Sequence, residues 1–238
     1  MATHGKRYNS ATAVIDRDAT YSPQEAVKMV KASATAKFDE TIELHIRTGA
    51  DPRHADQQVR GVAALPHGSG KKLLITVFAQ GEGIANAQNA GADFIGDDAL
   101  IKKIQEDGWS EFDVSIATPD MMGKVSKLGK VLGRKGLMPN PRTGTVVPTE
   151  DIARAIDEAR KGRVEFRLDR TSIMHVAIGK ASFEEAQLAG NLTSVMDHVV
   201  RARPSGVKGE FLRSAFLTST MGPSVPVDIA ALGDLRLD

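Results

Sequence analysis

The chain has 238 residues, a formal net charge of +1 and no cysteine. The lack of cysteine excludes disulfides, thiolate metal sites and cysteine nucleophiles, and the length fits one large domain or two modest ones. The amino-terminal sequence has no apolar stretch after its basic residues, and no run approaches the ~18 apolar residues of a membrane helix. We therefore expect a cytoplasmic protein with no membrane partner.

The basic residues are concentrated in two segments, although the total charge is nearly balanced. Segment 124–142 has six basic residues and no acidic one, and segment 160–170 has five basic residues beside Glu165 and Asp169. Such clusters can neutralise phosphates of a nucleic acid. A solvated basic face explains them equally well, so charge alone leaves both interpretations open.

The first part of the chain predicts a helix and then a half-buried strand. Ser22 and Glu25 have the spacing of a capping box, with Pro23 at the first helical position, which predicts a helix over 23–34. Over 41–48, apolar and polar residues alternate, as in a strand with one buried face. The turn-rich segment 65–70 indicates a domain boundary.

The middle of the chain has the pattern of a small parallel α/β unit. Residues 73–79 and 114–117 are short apolar runs, typical of strands covered on both faces. Helices are expected around residues 100–104, from Thr118 to about Leu132, and after Thr149. A basic loop rich in glycine and proline follows the second helix.

The last part of the chain returns to alternation, with strands expected over 164–168, 173–178, 210–219 and 224–229. Ser182 and Glu185 are spaced to cap a long helix between the second and third of these strands. The outer parts thus predict an α+β fold with antiparallel strands, and the middle an α/β fold. One domain inserted into another explains this change of pattern.

No motif for catalysis or cofactor binding is complete. The Gly68–Lys71 segment lacks the leading glycine and the Ser or Thr of a phosphate loop, and Gly81-Glu82-Gly83 lacks the third glycine of a dinucleotide fingerprint. Gly133-Arg134-Lys135-Gly136 matches the Gly-x-x-Gly loop of KH domains, but prolines follow it where a helix is required. We expect no enzyme, no cofactor and no metal. A small nucleotide-using α/β enzyme and an architectural partner-binding domain remain the alternatives.

Three blocks of sequence resemble the bacterial L1 proteins of the large ribosomal subunit. They are KFDETIE at 37–43, LGRKGLMPNP at 132–141 together with GRVEFRLD at 162–169, and TMGPS at 220–224. The likeness runs in order from about residue 5 to residue 227. It implies a discontinuous split β-α-β domain, residues 1–68 plus 160–238, and an inserted three-layer Rossmann-like α/β domain, residues 69–159.

The resemblance also implies a function. Family members bind large-subunit ribosomal RNA to form a mobile stalk near the transfer-RNA exit site, and they repress translation by binding their own messenger RNA. The partners expected for this chain are therefore large-subunit ribosomal RNA, own-operon messenger RNA and exit-site transfer RNA. We expect a monomer when the protein is free.

The resemblance places the RNA contacts on the first domain. Carried over by motif, the contacts fall on Lys37, Phe38, Thr41, Ser214, Thr220, Met221 and Gly222, with Arg163, Glu165, Arg167 and Asp169 on the outward face of a strand. Hydroxyl groups suit the ribose 2′-OH, by which structured RNA is recognised. Gly222 is expected to let the RNA backbone approach closely. Phe38 could instead belong to the core.

Overall fold

A computed structural model of the chain describes residues 5–16 and 18–236. Its contacts divide the chain into two compact units, one of Met1–Gly70 with Gly162–Asp238 and the other of Lys71–Lys161. Within the described residues, no helix combines the length and apolar character needed to cross a bilayer.

Unit 1 combines helices with antiparallel strands. Its helices are α1 (Lys6–Thr12), α2 (Pro23–Ser33), α8 (Glu185–Arg201) and α9 (Ile229–Gly233), and its strands are β1 (Thr41–Thr48), β2 (Arg60–Ala64), β6 (Arg163–Arg167), β7 (Ile173–Lys180), β8 (Leu212–Ser219) and β9 (Val225–Val227). A short 3-10 helix also spans Ala55–Gln57. One sheet has the order β7-β1-β8-β9, and β2 pairs with β6 in a separate ladder. All of these pairings are antiparallel, as the alternating pattern predicted.

The alternation of β1 explains which face of the four-stranded sheet is covered. Ile42, Leu44 and Ile46 are at most 1% exposed and belong to the same core as α2 and α8. The capping box of Ser22 and Glu25 is present at the start of α2. The opposite face of the sheet carries the outward residues of β1 and its neighbours, and we call it the solvent face.

Unit 2 is a parallel α/β structure. Its strands β3 (Ile75–Phe78), β4 (Phe94–Ile95) and β5 (Val114–Ala117) form a parallel sheet of order β4-β3-β5. Its helices are α3 (Glu82–Asn89), α4 (Asp98–Asp107), α5 (Met122–Val125), α6 (Gly129–Leu132) and α7 (Ile152–Arg160). The predicted combination of an antiparallel α+β part and a parallel α/β part is confirmed. That each part folds alone, and that unit 1 binds RNA, stays a prediction.

Several predicted elements need correction. The helix expected from Thr118 is a series of short α and 3-10 pieces, in which Met121, Val125, Leu128 and Leu132 are buried. Ser182 does not cap α8, because its amide and hydroxyl both donate to the Asp39 carboxylate, and Glu184 is the N-cap instead. The last expected strand ends at Val227, where Asp228 caps α9. Strand β2 was not predicted.

Candidate nucleic-acid interface

Six of the expected contact residues meet where β1 begins and β8 ends. Lys37 and Phe38 lie in the loop before β1, and residues 220–222 follow β8 directly. The Thr41 amide donates to the Thr220 hydroxyl over 2.9 Å, and the Thr220 amide donates to the Thr41 carbonyl over 3.0 Å. These two bonds fix the segments against each other. We call residues 36–41 and 219–222 the loop pair.

A buried carboxylate holds the loop pair together. Glu40 is 1% exposed, and one of its oxygens accepts the Ala36 amide at 2.7 Å. The other oxygen accepts the Ser219 hydroxyl at 2.8 Å and the Met221 amide at 2.9 Å. Burial by itself raises the pKa of Glu40, but these hydrogen bonds to the charged form outweigh it and lower the pKa. Glu40 is thus an ionised anchor that sequence reasoning missed.

The loop pair exposes two large apolar side chains. Phe38 is 55% exposed and Met221 is 51% exposed, so the alternative that Phe38 belongs to the core is wrong. Among the described residues, the other exposed large apolar side chains are Val14, Leu74 and Phe216. Two such side chains on loops fixed by a buried carboxylate form a contact surface that is set before any ligand arrives.

Gly222 has a packing role that the sequence did not predict. A Cβ atom there would lie 2.4 Å from the Ser219 hydroxyl and 3.2 Å from the Ser33 hydroxyl, so the free space is already used inside the protein. Packing within the protein is therefore enough to require glycine here, and close approach of RNA to Gly222 stays a prediction. Gly222 lets the turn after β8 pack onto Ser219, which in turn donates to Glu40.

A row of rings crosses the solvent face. His45 of β1 lies opposite His175 of β7 and Phe216 of β8, and the two Nδ1 atoms of the histidines are 2.7 Å apart. Asp169 is 3.5 Å from His175 Nε2, and Glu43 is 3.8 Å from His45 Nε2. Burial and the neighbouring His175 lower the pKa of His45, which Glu43 opposes. The alternation of β1 already pointed His45 outward, but no motif marked it.

In the part of the chain that the structure describes, no group of three or more histidines and carboxylates is arranged to hold a metal ion. The close Nδ1 atoms of His45 and His175 instead share one proton when the pair is hydrogen-bonded.

The remaining expected residues lie away from the loop pair. Ser214 is also on the solvent face, but it precedes Thr220 by six residues, or about 20 Å at roughly 3.4 Å per residue. Residues 163–167 form β6, in the ladder with β2, and Glu165 accepts a hydrogen bond from Arg60 at 2.7 Å. Asp169 follows β6 and contacts the histidine pair. The loop pair and the β6 residues are therefore separate patches of unit 1.

Asp169 organises the turn between β6 and β7. Its Oδ1 atom accepts the Thr171 amide at 2.7 Å and the Ile173 amide at 2.8 Å. Burial by itself raises the pKa of Asp169, but these bonds and those from the Thr171 and His175 side chains lower the pKa to about 2. Asp169 therefore stabilises this turn, and contact with RNA would be an additional role.

Comparison with known proteins places the whole interface inside one family. The family described as "Ribosomal protein L1p/L10e family" matches residues 30–223, which include the loop pair, the histidine pair and β6. The chain belongs to this family. The resemblance inferred from the three sequence blocks is thereby confirmed.

Relatives extend the match over nearly the full chain. A protein of Dehalococcoides mccartyi named "Large ribosomal subunit protein uL1" is 57% identical over 98% of both chains. Proteins with the same name from Chloroflexus aggregans and Chloroflexus aurantiacus are 54% and 55% identical, over 99% or more of each chain. All three relatives are named as ribosomal proteins rather than enzymes, in agreement with the non-enzymatic class predicted from the sequence.

Proposed function

We propose that this protein is a component of the large ribosomal subunit, in the cytoplasm, and binds large-subunit ribosomal RNA through unit 1. The observation that carries the proposal is the loop pair, which exposes Phe38 and Met221 and joins Thr41 to Thr220 by two hydrogen bonds. Buried Glu40 fixes both loops. Apolar contact with sugars and bases, together with hydroxyl contact to the 2′-OH, is how proteins recognise structured RNA by shape.

We further infer the finer role implied by the family resemblance. The protein contributes to a mobile stalk near the transfer-RNA exit site, and it represses its own messenger RNA through the same surface of unit 1. A fixed, shape-reading surface supports this inference, because it accepts any RNA segment that presents the same fold. Exit-site transfer RNA is a third partner, and the free protein is a monomer.

The charge of the interface agrees with recognition by shape. The loop pair contains Lys37 as its one basic side chain, beside acidic Asp39 and Glu40, and the Lys180 ammonium donates to the Thr41 hydroxyl at 2.8 Å. Binding at this patch therefore releases few counterions, and its salt dependence is shallow compared with that of a protein with many phosphate contacts.

A titration of purified large-subunit ribosomal RNA tests the proposal. Phe38→Ala and Met221→Ala should each weaken binding by about tenfold or more, since each removes apolar contact area, and should leave the melting temperature unchanged because both side chains are half exposed. Val14→Ala is the matched control, because Val14 is 76% exposed and is not part of the loop pair. Wild-type protein that binds small-subunit RNA equally well would contradict the proposal.

Competition tests the regulatory role separately. Own-operon messenger RNA should displace ribosomal RNA, and Phe38→Ala should weaken both complexes by the same factor because they share one surface. Simultaneous binding of both RNAs to one protein molecule would refute the repressor mechanism while leaving ribosomal RNA binding intact.

A further inference from the structure

A cleft lined by four arginines lies at the end of β1 opposite to the loop pair. It encloses about 360 Å³ between residues 47–53, the turn 170–172 and Arg213. Arg47, Arg53, Arg170 and Arg213 line it, and all four side chains are exposed. We call it the arginine cleft. The family resemblance did not assign these residues, and the loop pair does not include them.

The backbone around the arginine cleft is fixed by hydrogen bonds. The Thr48 amide donates to the Ser172 carbonyl at 2.8 Å, and the Gly49 amide donates to the Phe211 carbonyl at 2.8 Å. A Cβ atom at Gly49 would lie 2.2 Å from the Glu210 carbonyl and 3.4 Å from Arg213 Nε, so these segments are closely packed. The three segments that present the arginines therefore keep their spacing.

The positive charge of the cleft is not balanced by carboxylates. Its one acidic residue, Asp51, already accepts the Arg53 amide at 2.9 Å and lies 4.0 Å from His54. Among the described residues, none of the four guanidinium groups pairs with a carboxylate. Four like charges around one cleft without counterions repel one another, and an anion in the cleft relieves that repulsion.

The cleft opens beside the solvent face of the sheet. Arg47 is the outward residue of β1 that lies opposite Ser214 of β8, one of the expected contacts. The distance along the strands to Thr41 and Thr220 is about 20 Å, at roughly 3.4 Å per residue. An RNA strand that runs from the loop pair along the solvent face therefore reaches the cleft after several nucleotides.

We propose that the arginine cleft binds a backbone phosphate of the same RNA that contacts the loop pair. This inference rests on the proposed function and adds a second, electrostatic anchor to a surface that otherwise reads shape. The planar guanidinium group of arginine donates two parallel hydrogen bonds to a phosphate. A second patch also orients the RNA, which one contact patch alone cannot do.

The salt dependence of RNA binding tests this proposal. Arg170→Gln/Arg213→Gln should weaken binding to large-subunit ribosomal RNA by about tenfold or more, and should make the slope of log K against log salt shallower by about 0.7–0.9 for one lost phosphate. Arg213→Lys keeps the charge but loses the paired donors, so its affinity for the RNA should lie between those of wild type and the double variant. The melting temperature of the double variant should equal or exceed that of wild type, because like-charge repulsion is reduced.

The matched control is Lys28→Gln/Arg154→Gln, which removes the same number of charges from exposed positions of α2 and α7. It should keep the wild-type slope. Equal slopes and affinities for wild type and the cleft variant would overturn the cleft proposal and leave the loop pair standing. Failure of wild-type protein to bind the RNA at all would overturn both proposals. If the cleft variant bound an acidic peptide more weakly than wild type but bound RNA equally well, the cleft would be assigned to a protein partner instead of RNA.

Discussion

Thr220 links the fold of the loop pair to the proposed RNA contact. Its hydroxyl accepts the Thr41 amide at 2.9 Å and donates to the Thr41 carbonyl at 3.3 Å, so one lone pair and the proton are already used within the protein. The second lone pair is available to accept a hydrogen bond from a ribose hydroxyl. Thr220 therefore supports the surface as well as contributing to it.

Replacing Thr220 separates these roles. Thr220→Val should weaken RNA binding by about tenfold, because a buried partner of the lost hydroxyl is left unpaired in the complex. The free protein should lose little stability, since water can reach the Thr41 amide. Thr220→Ser keeps the hydroxyl and should bind like wild type in the same titration. Equal affinities for the valine and serine variants would remove Thr220 from the contact.

Glu40 offers a second residue-level prediction. Both carboxylate oxygens of Glu40 accept hydrogen bonds. Glu40→Gln replaces one of these oxygens by an NH₂ group, which cannot accept, so at least one amide or hydroxyl of the loop pair loses its acceptor. In a residue 1% exposed, this should lower the free energy of unfolding by roughly 1–3 kcal/mol. Denaturant unfolding measures it, and RNA affinity should fall as well. Glu43→Gln, on the solvent face of the same strand, is the control for stability. Equal stability of both variants would contradict the anchoring role.

At the scale of elements, strands with regular alternation could be predicted and irregular ones could not. Strand β1 has a strict period of two, and its bounds and buried face follow from that. Strand β2 has no such pattern, because Gly61 has no side chain to mark a face. A Cβ at Gly61 would lie 2.4 Å from the Phe166 ring, so this glycine is explained by a partner about a hundred residues away.

The same reason limits prediction of the interface. The loop pair residues could be named from the family blocks, but the anchoring role of Glu40 could not, since Ser219 and Met221, which donate to it, lie about 180 residues away in the chain. The wrong prediction for Ser182 has the same cause. Its spacing to Glu185 fits a helix cap, but Asp39 takes both of its hydrogen bonds. Local patterns predict elements, whereas these contacts depend on tertiary packing.

The turn between β6 and β7 gives a prediction on pH. The pKa of Asp169 falls from 3.8 to about 2 on folding, so the ionised form stabilises the native state above the unfolded value. This contribution should be lost as pH falls from 3.8 through about 2. Asp169→Asn should therefore lower the melting temperature at neutral pH, and its difference from wild type should vanish in that acid range. A difference that persists unchanged at the acid end would contradict the role of the charge.

At the scale of the whole molecule, the points where the chain leaves and re-enters unit 1 are neighbours. The Leu65 amide donates to the Gly162 carbonyl at 2.8 Å, and a Cβ at Gly162 would lie 2.6 Å from the Gly68 Cα atom. Gly162 adopts a positive φ of 95°, which suits the absence of a side chain there. A short connection can therefore replace unit 2.

Excision of residues 71–161 tests the division into domains. The shortened protein should unfold cooperatively and bind ribosomal RNA within about tenfold of the full chain, because the loop pair and the arginine cleft both lie in unit 1. Circular dichroism melts and RNA titration check the two parts. A folded product that loses RNA affinity by several orders of magnitude would transfer the main site to unit 2, where the basic residues of segment 124–142 are the candidates.

Nuclease footprinting on intact large-subunit ribosomal RNA is the most direct test of the central claim. We expect wild-type protein to protect one compact, structured region, and the excised unit 1 to protect the same nucleotides. Phe38→Ala should lose this protection at protein concentrations where Val14→Ala retains it. Protection spread evenly along the RNA, or a footprint unaffected by Phe38→Ala, would contradict recognition by the loop pair.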